Sequence, residues 1–376
     1  MILDQDTLSL KEMVRDFVDH EVIPVAAEYD KTGEFPMAIY DKAIEMGLGC
    51  MYMPERFGGP ELSKVAFCSL SEELARGDIG VATSLGGSCL ASLPVMIAGT
   101  EEQQKHWFEV VAEKKFAAFC LTEPGAGSDV SGVRTTAVED GDDYIINGTK
   151  CFITNGGVAG IYAVLAVTDK SKGVKGLSCF IVERDRPGIS IGKEEDKMGM
   201  RLSNTTEVIF QDVRVPKANL LGKLGEGFKI MMKTLDASRP GVGAIGVGVA
   251  QRAMEEAIKY SKERVQFGKP ICKNQAIAFM LADMATKLTA AKELVYMAAQ
   301  MKDRNDPNAS MYCSMAKYFA SETCNEIAAK AVQIHGGYGY IKEYPVERKY
   351  RDCRVFTIYE GTSQVQQMVI SGNLLK

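Results

Sequence analysis

The sequence predicts an α+β fold: an N-terminal all-α domain, a middle β-barrel-like domain and a C-terminal four-helix bundle. Three observations predict it. Apolar residues recur at helical spacing over residues 4–115, strand runs and turn residues replace them over about 116–220, and long helical periodicity returns after Pro216. The expected domains are 1–115, 116–220 and 221–376.

In the first segment Leu10, Met13, Val14, Phe17 and Val18 share one helical face, and Pro24 is expected to bend or end that helix. Residues 62–78 form an amphipathic candidate, and Thr100 is placed to cap a helix over 101–114 ahead of two glutamates. In the middle segment Tyr144-Ile145-Ile146 runs into Asn147-Gly148, which predicts a hairpin turn. Cys151-Phe152-Ile153-Thr154 then precedes a second turn, Asn155-Gly156-Gly157. Further strands are predicted at 161–167, 177–183 and 205–215. The helical period then covers 225–265, 273–303, 308–335 and 360–371, long helices with short loops that suggest a bundle able to associate with its own copies.

Composition bounds the function. Apolar residues at 46% and charged residues at 25% are typical of a folded globular chain. A net charge of −5 without a basic run argues against nucleic acid as a partner. Charge or glycine interrupts the apolar stretches before 18 residues, so no membrane span is expected. The start, MILDQDTLSLKEMV, is acidic and helical, unlike a secretory signal or an Arg-rich transit peptide. Ten cysteines are scattered from Cys50 to Cys353 without a C-x-x-C pair, and only three histidines are present. That pattern predicts reduced thiols in a cytoplasmic setting, with no disulfide frame and no metal site.

Two glycine-rich segments invite a dinucleotide reading. Gly241, Gly243 and Gly246 spell GxGxxG, but the preceding Phe228–Leu235 has helical spacing and no βαβ series surrounds it. Those glycines are expected to let another helix or a ligand approach closely. LTEPGAGSD at 121–129 is a turn whose backbone N–H groups could hold a pyrophosphate or a polar heterocycle; an ordinary tight turn would look the same.

With that segment the chain resembles the acyl-CoA dehydrogenase family over nearly its whole length. FITNGG (152–157), RVQFGKPI (264–271) followed by Gln275, QIHGGYGY (333–340) and IYEGTSQVQ (358–366) are similar to four more family motifs, in the family's order and spacing. The resemblance implies α, β and α domains, a bound FAD, a homotetramer built as a dimer of dimers, and an electron-transferring flavoprotein as electron partner. It implies that Phe119, Leu121, Thr122, Gly127 and Ser128 line the flavin and its pyrophosphate, with Phe152, Ile153 and Thr154 beside the ring. Many relatives carry tryptophan where this chain has Phe152. Arg264, Gln266, Phe267, Gln275, Gln333, Gly336 and Gly337 are expected around the FAD of a neighbouring subunit, where a planar guanidinium suits a pyrophosphate. Thr362 and Gln364 would hold the adenosine side. Ser128, Asp236, Arg239 and Gly361 would face the acyl-CoA.

Desaturating a thioester needs a base for the α-proton and a hydride acceptor that no side chain provides, which calls for a cofactor such as flavin. Glu360 follows the apolar run Val355–Tyr359, which should raise its pKa, and precedes a glycine that lets substrate pass close. By residue types alone it could equally be a carboxylate favoured at a helix N-terminus; the resemblance implies the base, with the Glu360 N–H polarising the thioester oxygen. Ser238 stands where some branches carry their base, which disfavours the isovaleryl and long-chain branches. The absence of Arg and Lys over 79–95 disfavours a dicarboxylyl substrate. KEEDKMGM (193–200) and KERVQFGKPICK resemble the butyryl-CoA branch, whereas RPGVGAIGVGVAQRA and EGTSQ resemble the medium-chain branch. Gly86 and Gly87 either open the acyl cavity or merely permit helix packing. The expectation is oxidation of a short- or medium-chain acyl-CoA to its trans-2-enoyl-CoA, with the β-hydride passing to flavin N5. A cyclic acyl-CoA or an acyl-CoA oxidase is the alternative; a monooxygenase-like relative would not need Glu360, and an interaction protein without catalysis would not need the flavin motifs.

Overall fold

The computed structural model describes residues 3–375. Six helices come first: α1 (Gln5–Phe17), α2 (Ala26–Thr32), α3 (Met37–Glu45), α4 (Lys64–Gly77), α5 (Ile79–Ala98) and α6 (Glu101–Lys114). A π-helical turn at Val18–Val22 ends the first helical run just ahead of Pro24. At α6, Thr100 Oγ1 accepts from the Gln103 N–H and the Gln103 side chain returns the bond, a full capping box.

Two expectations in this segment are corrected. α4 is not amphipathic: Ala66 through Gly77 are all buried, its charges included. Glu73 is held by Arg15 and Arg76, while Glu72 accepts from Lys11 (3.0 Å), Lys292 (2.6 Å) and the Tyr296 hydroxyl (3.0 Å). Pairing lets those carboxylates sit inside the fold and ties α1 and α4 to the C-terminal helices. Glycine does not interrupt α5 either. It is a continuous 20-residue helix, apolar and long enough to cross a membrane, but 67% of its most apolar stretch is buried within this fold. It packs on α4, on the strand Ala117–Cys120 and on the long helix Gly227–Glu263.

The middle segment contains β1 (Ala117–Cys120), β2 (Thr136–Asp140), β3 (Asp143–Thr154), β4 (Ile161–Val167), β5 (Leu177–Glu183), β6 (Ile189–Glu194), β7 (Thr205–Pro216) and β8 (Leu220–Leu221). Their order is β6-β7-β3-β2-β4-β5-β8, with β1 parallel to β4. β2 and β4 share one pair, Thr136 with Val167, so the sheet has two halves joined at that point. The halves face each other: Tyr144 of β3 meets Phe180 of β5 at 5.0 Å, and Tyr162 of β4 meets Phe210 of β7 at 6.3 Å. The predicted turn at Asn147-Gly148 is a third correction. β3 runs straight through it, and Gly148 sits at a register shift against β7, with Thr135 so close that a Cβ would clash at 2.3 Å. The hairpin turn lies earlier, at Gly141 between β2 and β3, with φ +62°.

The C-terminal segment holds α7 (Gly227–Glu263), a small hairpin of β9 (Val265–Gln266) and β10 (Lys269–Pro270), α8 (Gln275–Asp303), α9 (Ala309–His335), α10 (Val346–Cys353) and α11 (Ser363–Leu374). α7, α8 and α9 pack on one another and α11 on α9. The GxGxxG glycines lie mid-helix in α7. A Cβ on Gly241 would meet Phe67 of α4 at 2.5 Å, and one on Gly243 would meet Val295 of α8 at 2.8 Å. They serve close helix packing, and the residues leading into them are helix rather than strand.

Candidate active site

The loop between α10 and α11 carries Glu360. Glu360 has φ +50° and Gly361 φ +91°. A left-handed non-glycine residue is worth noting, since it costs about 1–3 kcal/mol and must be held by its surroundings. Here Lys317 Nζ donates to the carbonyls of Phe356 and Gly361, each at 2.6 Å, and Gln366 Nε2 donates to Gly361 O at 3.0 Å. The carboxylate reaches across to α7, where Ser238 Oγ donates to Oε2 at 2.6 Å. α11 is capped instead by Thr362, whose hydroxyl accepts from Val365 N–H at 3.2 Å. Burial raises the pKa of Glu360; the Ser238 bond and the charges of Lys317 and Arg239 oppose that rise without cancelling it. An ionised carboxylate with a raised pKa is a stronger proton acceptor than one in water. Glu360 keeps some accessible surface.

Arg239, the next residue of α7, donates to Asp236 Oδ1 and Ser314 Oγ, both at 2.9 Å. Asp236 also accepts from Lys302 (2.8 Å) and Ser310 (2.6 Å), so it joins α7 to α8 and α9. Burial pulls the Arg239 pKa down against the pull of Asp236 and Glu360.

A second group of residues meets at the end of β3. Cys151 N–H donates to Thr122 O at 3.0 Å, setting the 121–129 turn beside Phe152–Thr154. The buried Lys150 donates to Leu121 O (3.1 Å) and Glu123 Oε1 (2.7 Å), and Glu123 accepts the N–H groups of Arg134 (2.7 Å) and Thr135 (3.0 Å). Burial would raise the Glu123 pKa, but Lys150 and those bonds hold it below the usual range. Phe152, at φ +56°, is left 65% exposed. Gly127 and Ser128 are exposed, Thr122 and Phe119 half-buried and Leu121 buried; the Ile153 side chain belongs to the core, so its backbone alone can serve a ligand.

α5 lies along these elements. In its middle Gly86, Gly87 and Leu90 retain accessible surface, and with Thr83 they form one face at i, i+3, i+4 and i+7. A Cβ on Gly87 would meet Thr154 Cγ2 at 3.1 Å, whereas one on Gly86 would meet nothing within 4 Å.

The remaining predicted residues gather elsewhere. Arg264, Gln266, Gly336 and Gly337 line a cavity of about 490 Å³ with Tyr260, His335 and Tyr338. The Arg264 guanidinium lies 5.4 Å from the Tyr338 ring centre. Gln275 and Gln333 are exposed at the start of α8 and the end of α9, Phe267 is 96% exposed on the hairpin, and Gln364 is exposed on α11. Sequence reasoning missed Lys150, Glu123 and Lys317. A signal existed for the last: Lys317 falls in the apolar phase of α9 with Cys313, Ala316, Ala320 and Cys324.

The chain matches three family models in order: "Acyl-CoA dehydrogenase, N-terminal domain" over 4–115, "middle domain" over 118–213 and "C-terminal domain" over 225–375. It is 52% identical, over 100% of both chains, to "Caffeyl-CoA reductase-Etf complex subunit CarC" of Acetobacterium woodii. It is 49% identical, over 98% of each, to "3-(aryl)acrylate reductase" of Clostridium sporogenes. The solved butyryl-CoA dehydrogenase of Megasphaera elsdenii superposes with a TM-score of 0.97, at 43% identity and over 100% of both chains. The chain belongs to the acyl-CoA dehydrogenase family, whose members are FAD-dependent oxidoreductases. The residues fit that cofactor. The 121–129 turn and the end of β3 form one ledge, with Phe152 unusually exposed and open space at Gly125 and Gly127.

Proposed function

We propose that the chain oxidises a short- or medium-chain acyl-CoA to its trans-2-enoyl-CoA, with Glu360 as the base and an electron-transferring flavoprotein as electron partner. The observation that carries this reading is the Glu360 carboxylate, raised in pKa and hydrogen-bonded to Ser238 where α7, α9 and the loop before α11 meet. FAD, when bound, supplies the acceptor for the hydride leaving the β-carbon. Phe119, Leu121, Thr122, Gly127, Ser128 and Phe152–Thr154 would hold its ring and pyrophosphate, and Thr362 and Gln364 its adenosine side. Ser128, Asp236, Arg239 and Gly361 would orient the thioester, whose oxygen the Glu360 N–H would polarise. Glu360 takes the α-proton. The relative named for an Etf complex supports the electron partner. Ten free cysteines, nine of them buried, fit a reducing, cytoplasmic compartment.

The test is anaerobic mixing of the FAD-loaded protein with acyl-CoAs of rising length. Flavin bleaching by butyryl-CoA or hexanoyl-CoA is expected, with slow reoxidation in air and no turnover with NAD alone. No bleaching with any acyl-CoA would reject the reading, and rapid peroxide formation would make the protein an oxidase.

A homotetramer is part of the same proposal. Phe267 and Tyr340, 96% and 88% exposed, flank the Arg264 cavity, and covering them against a copy would remove a sizeable apolar surface from water. Arg264→Ala is expected to release FAD and shift the protein towards smaller species together. Light scattering that finds an active, FAD-bound monomer would contradict this arrangement.

A second reading has its own observation. Gly86 leaves open space on the exposed face of α5, and two relatives are named for caffeyl-CoA and arylacrylate reduction. On this reading the acyl cavity takes an aromatic ring, and the enzyme runs as an enoyl-CoA reductase. Gly86→Leu should then lower turnover of cinnamoyl-CoA relative to crotonyl-CoA by at least about 10–200-fold, the range for a single methylene in an apolar pocket. An unchanged ratio would favour the aliphatic substrate.

A further inference from the structure

Lys317 lies a third of the way along α9 and has no exposed surface. Burying an ammonium is costly unless it is fully hydrogen-bonded and its charge is compensated. Its two bonds go to the carbonyls of Phe356 and Gly361, four residues before Glu360 and one after it. Ser321, one turn further along α9, adds a bond to Phe356 O at 3.1 Å. The segment held between these anchors contains both left-handed residues of the loop. From α7 the Glu360 carboxylate is faced by Ser238 and Arg239, from α9 by Lys317, and by the adjacent Tyr359 and, from the loop after α3, Tyr52. The Arg239 charge is shared with Asp236, and that of Lys317 with Glu322.

We infer that Lys317 is a positioning residue for the base: its ammonium pins the backbone on both sides of Glu360 and sets a positive charge near the carboxylate. This rests on Glu360 being the base, which Glu360→Gln tests separately. A near-wild-type rate in that variant would overturn the base itself, whatever the Lys317 variants do.

The geometry has two separable consequences. Losing the anchors lets the loop relax from its left-handed conformation and moves the carboxylate from its working position. Misplacement of about 1 Å can cost about 10²-fold in rate. Losing the charge makes the carboxylate harder to ionise, so the pKa of Glu360 rises further and the acid limb of the rate profile moves to higher pH. Lys317→Met removes both anchors and charge. Lys317→Arg keeps the charge, but a planar guanidinium cannot give both bonds from one tetrahedral nitrogen.

The experiment follows FAD reduction by butyryl-CoA in anaerobic stopped flow across pH, with FAD content and thermal unfolding measured alongside. Lys317→Met is expected to retain FAD, to react about 10²-fold more slowly and to show its acid limb at higher pH. Lys317→Arg is expected to be slower with its acid limb unmoved. A folded, FAD-bound Lys317→Met with the wild-type acid limb would overturn the proposal, because a merely structural lysine predicts that result. Should Lys317→Met fail to fold, Lys317→Gln takes its place: its amide keeps an N–H donor for one carbonyl and removes the charge, so its acid limb should also lie at higher pH. A folded, FAD-bound Lys317→Gln with the wild-type acid limb would overturn the inference.

Discussion

Glu360→Gln is expected to retain its FAD, its fold and its affinity for acyl-CoA, and to reduce its flavin about 10²–10⁴-fold more slowly than wild type. The amide matches the carboxylate in size and can still accept from Ser238, whose bond at 2.6 Å locates the side chain. What it cannot do is take a proton. The sign of the stability change separates this outcome from structural damage. Burial raises the folded-state pKa of Glu360, so the ionised group weakens the fold as pH rises from its unfolded value through its folded one. A neutral amide avoids that loss, and the variant should unfold at an equal or higher temperature at neutral pH. Single-turnover reduction and a thermal melt check both halves. Loss of FAD with a lower melting temperature would mean that Glu360 is structural.

Lys150→Met should destabilise the middle domain by about 3–5 kcal/mol, the usual effect of stranding one charge of a buried pair. Glu123 would keep the N–H groups of Arg134 and Thr135 but lose its cation, and Leu121 O would lose its donor. Because Leu121 and Thr122 form one side of the ledge beside Phe152, FAD retention should weaken with stability. Glu123→Gln added to Lys150→Met should recover part of the loss, since no unpaired charge then remains. The folded pKa of Glu123 is depressed, so its contribution is present above the unfolded value and disappears as pH falls through the folded one. Wild type should therefore be the more acid-sensitive protein, in that its margin over the double variant shrinks at low pH. Chemical denaturation at two pH values measures this, and equal stability of wild type and Lys150→Met would refute the pair's role.

Much of this was legible in the order of residues. Helical period, strand runs and turns gave the α-β-α sequence because each depends on neighbours within a few positions: Thr100 and Gln103 form the predicted cap, and Ile161–Val167 and Leu177–Glu183 are the predicted strands. The reading failed where distant contacts override local preference. Asn147-Gly148 is ordinary turn chemistry, yet Thr135 on one side and β7 on the other draw it into a bulged strand. α4 carries Glu72, Glu73 and Arg76 as a solvated face would, but partners 57 to 224 residues away bury them.

The sequence by itself determined the family, the flavin chemistry and the single carboxylate placed after an apolar run, because those lie in short contiguous motifs. Only the tertiary structure decided what surrounds that carboxylate. Ser238 stands 122 residues from Glu360 along the chain. Lys317 stands 44 residues from the Gly361 carbonyl it holds. The open face of α5 belongs to a third element. A pKa depends on which charges and how much protein lie within a few ångströms, and no local pattern encodes that distance.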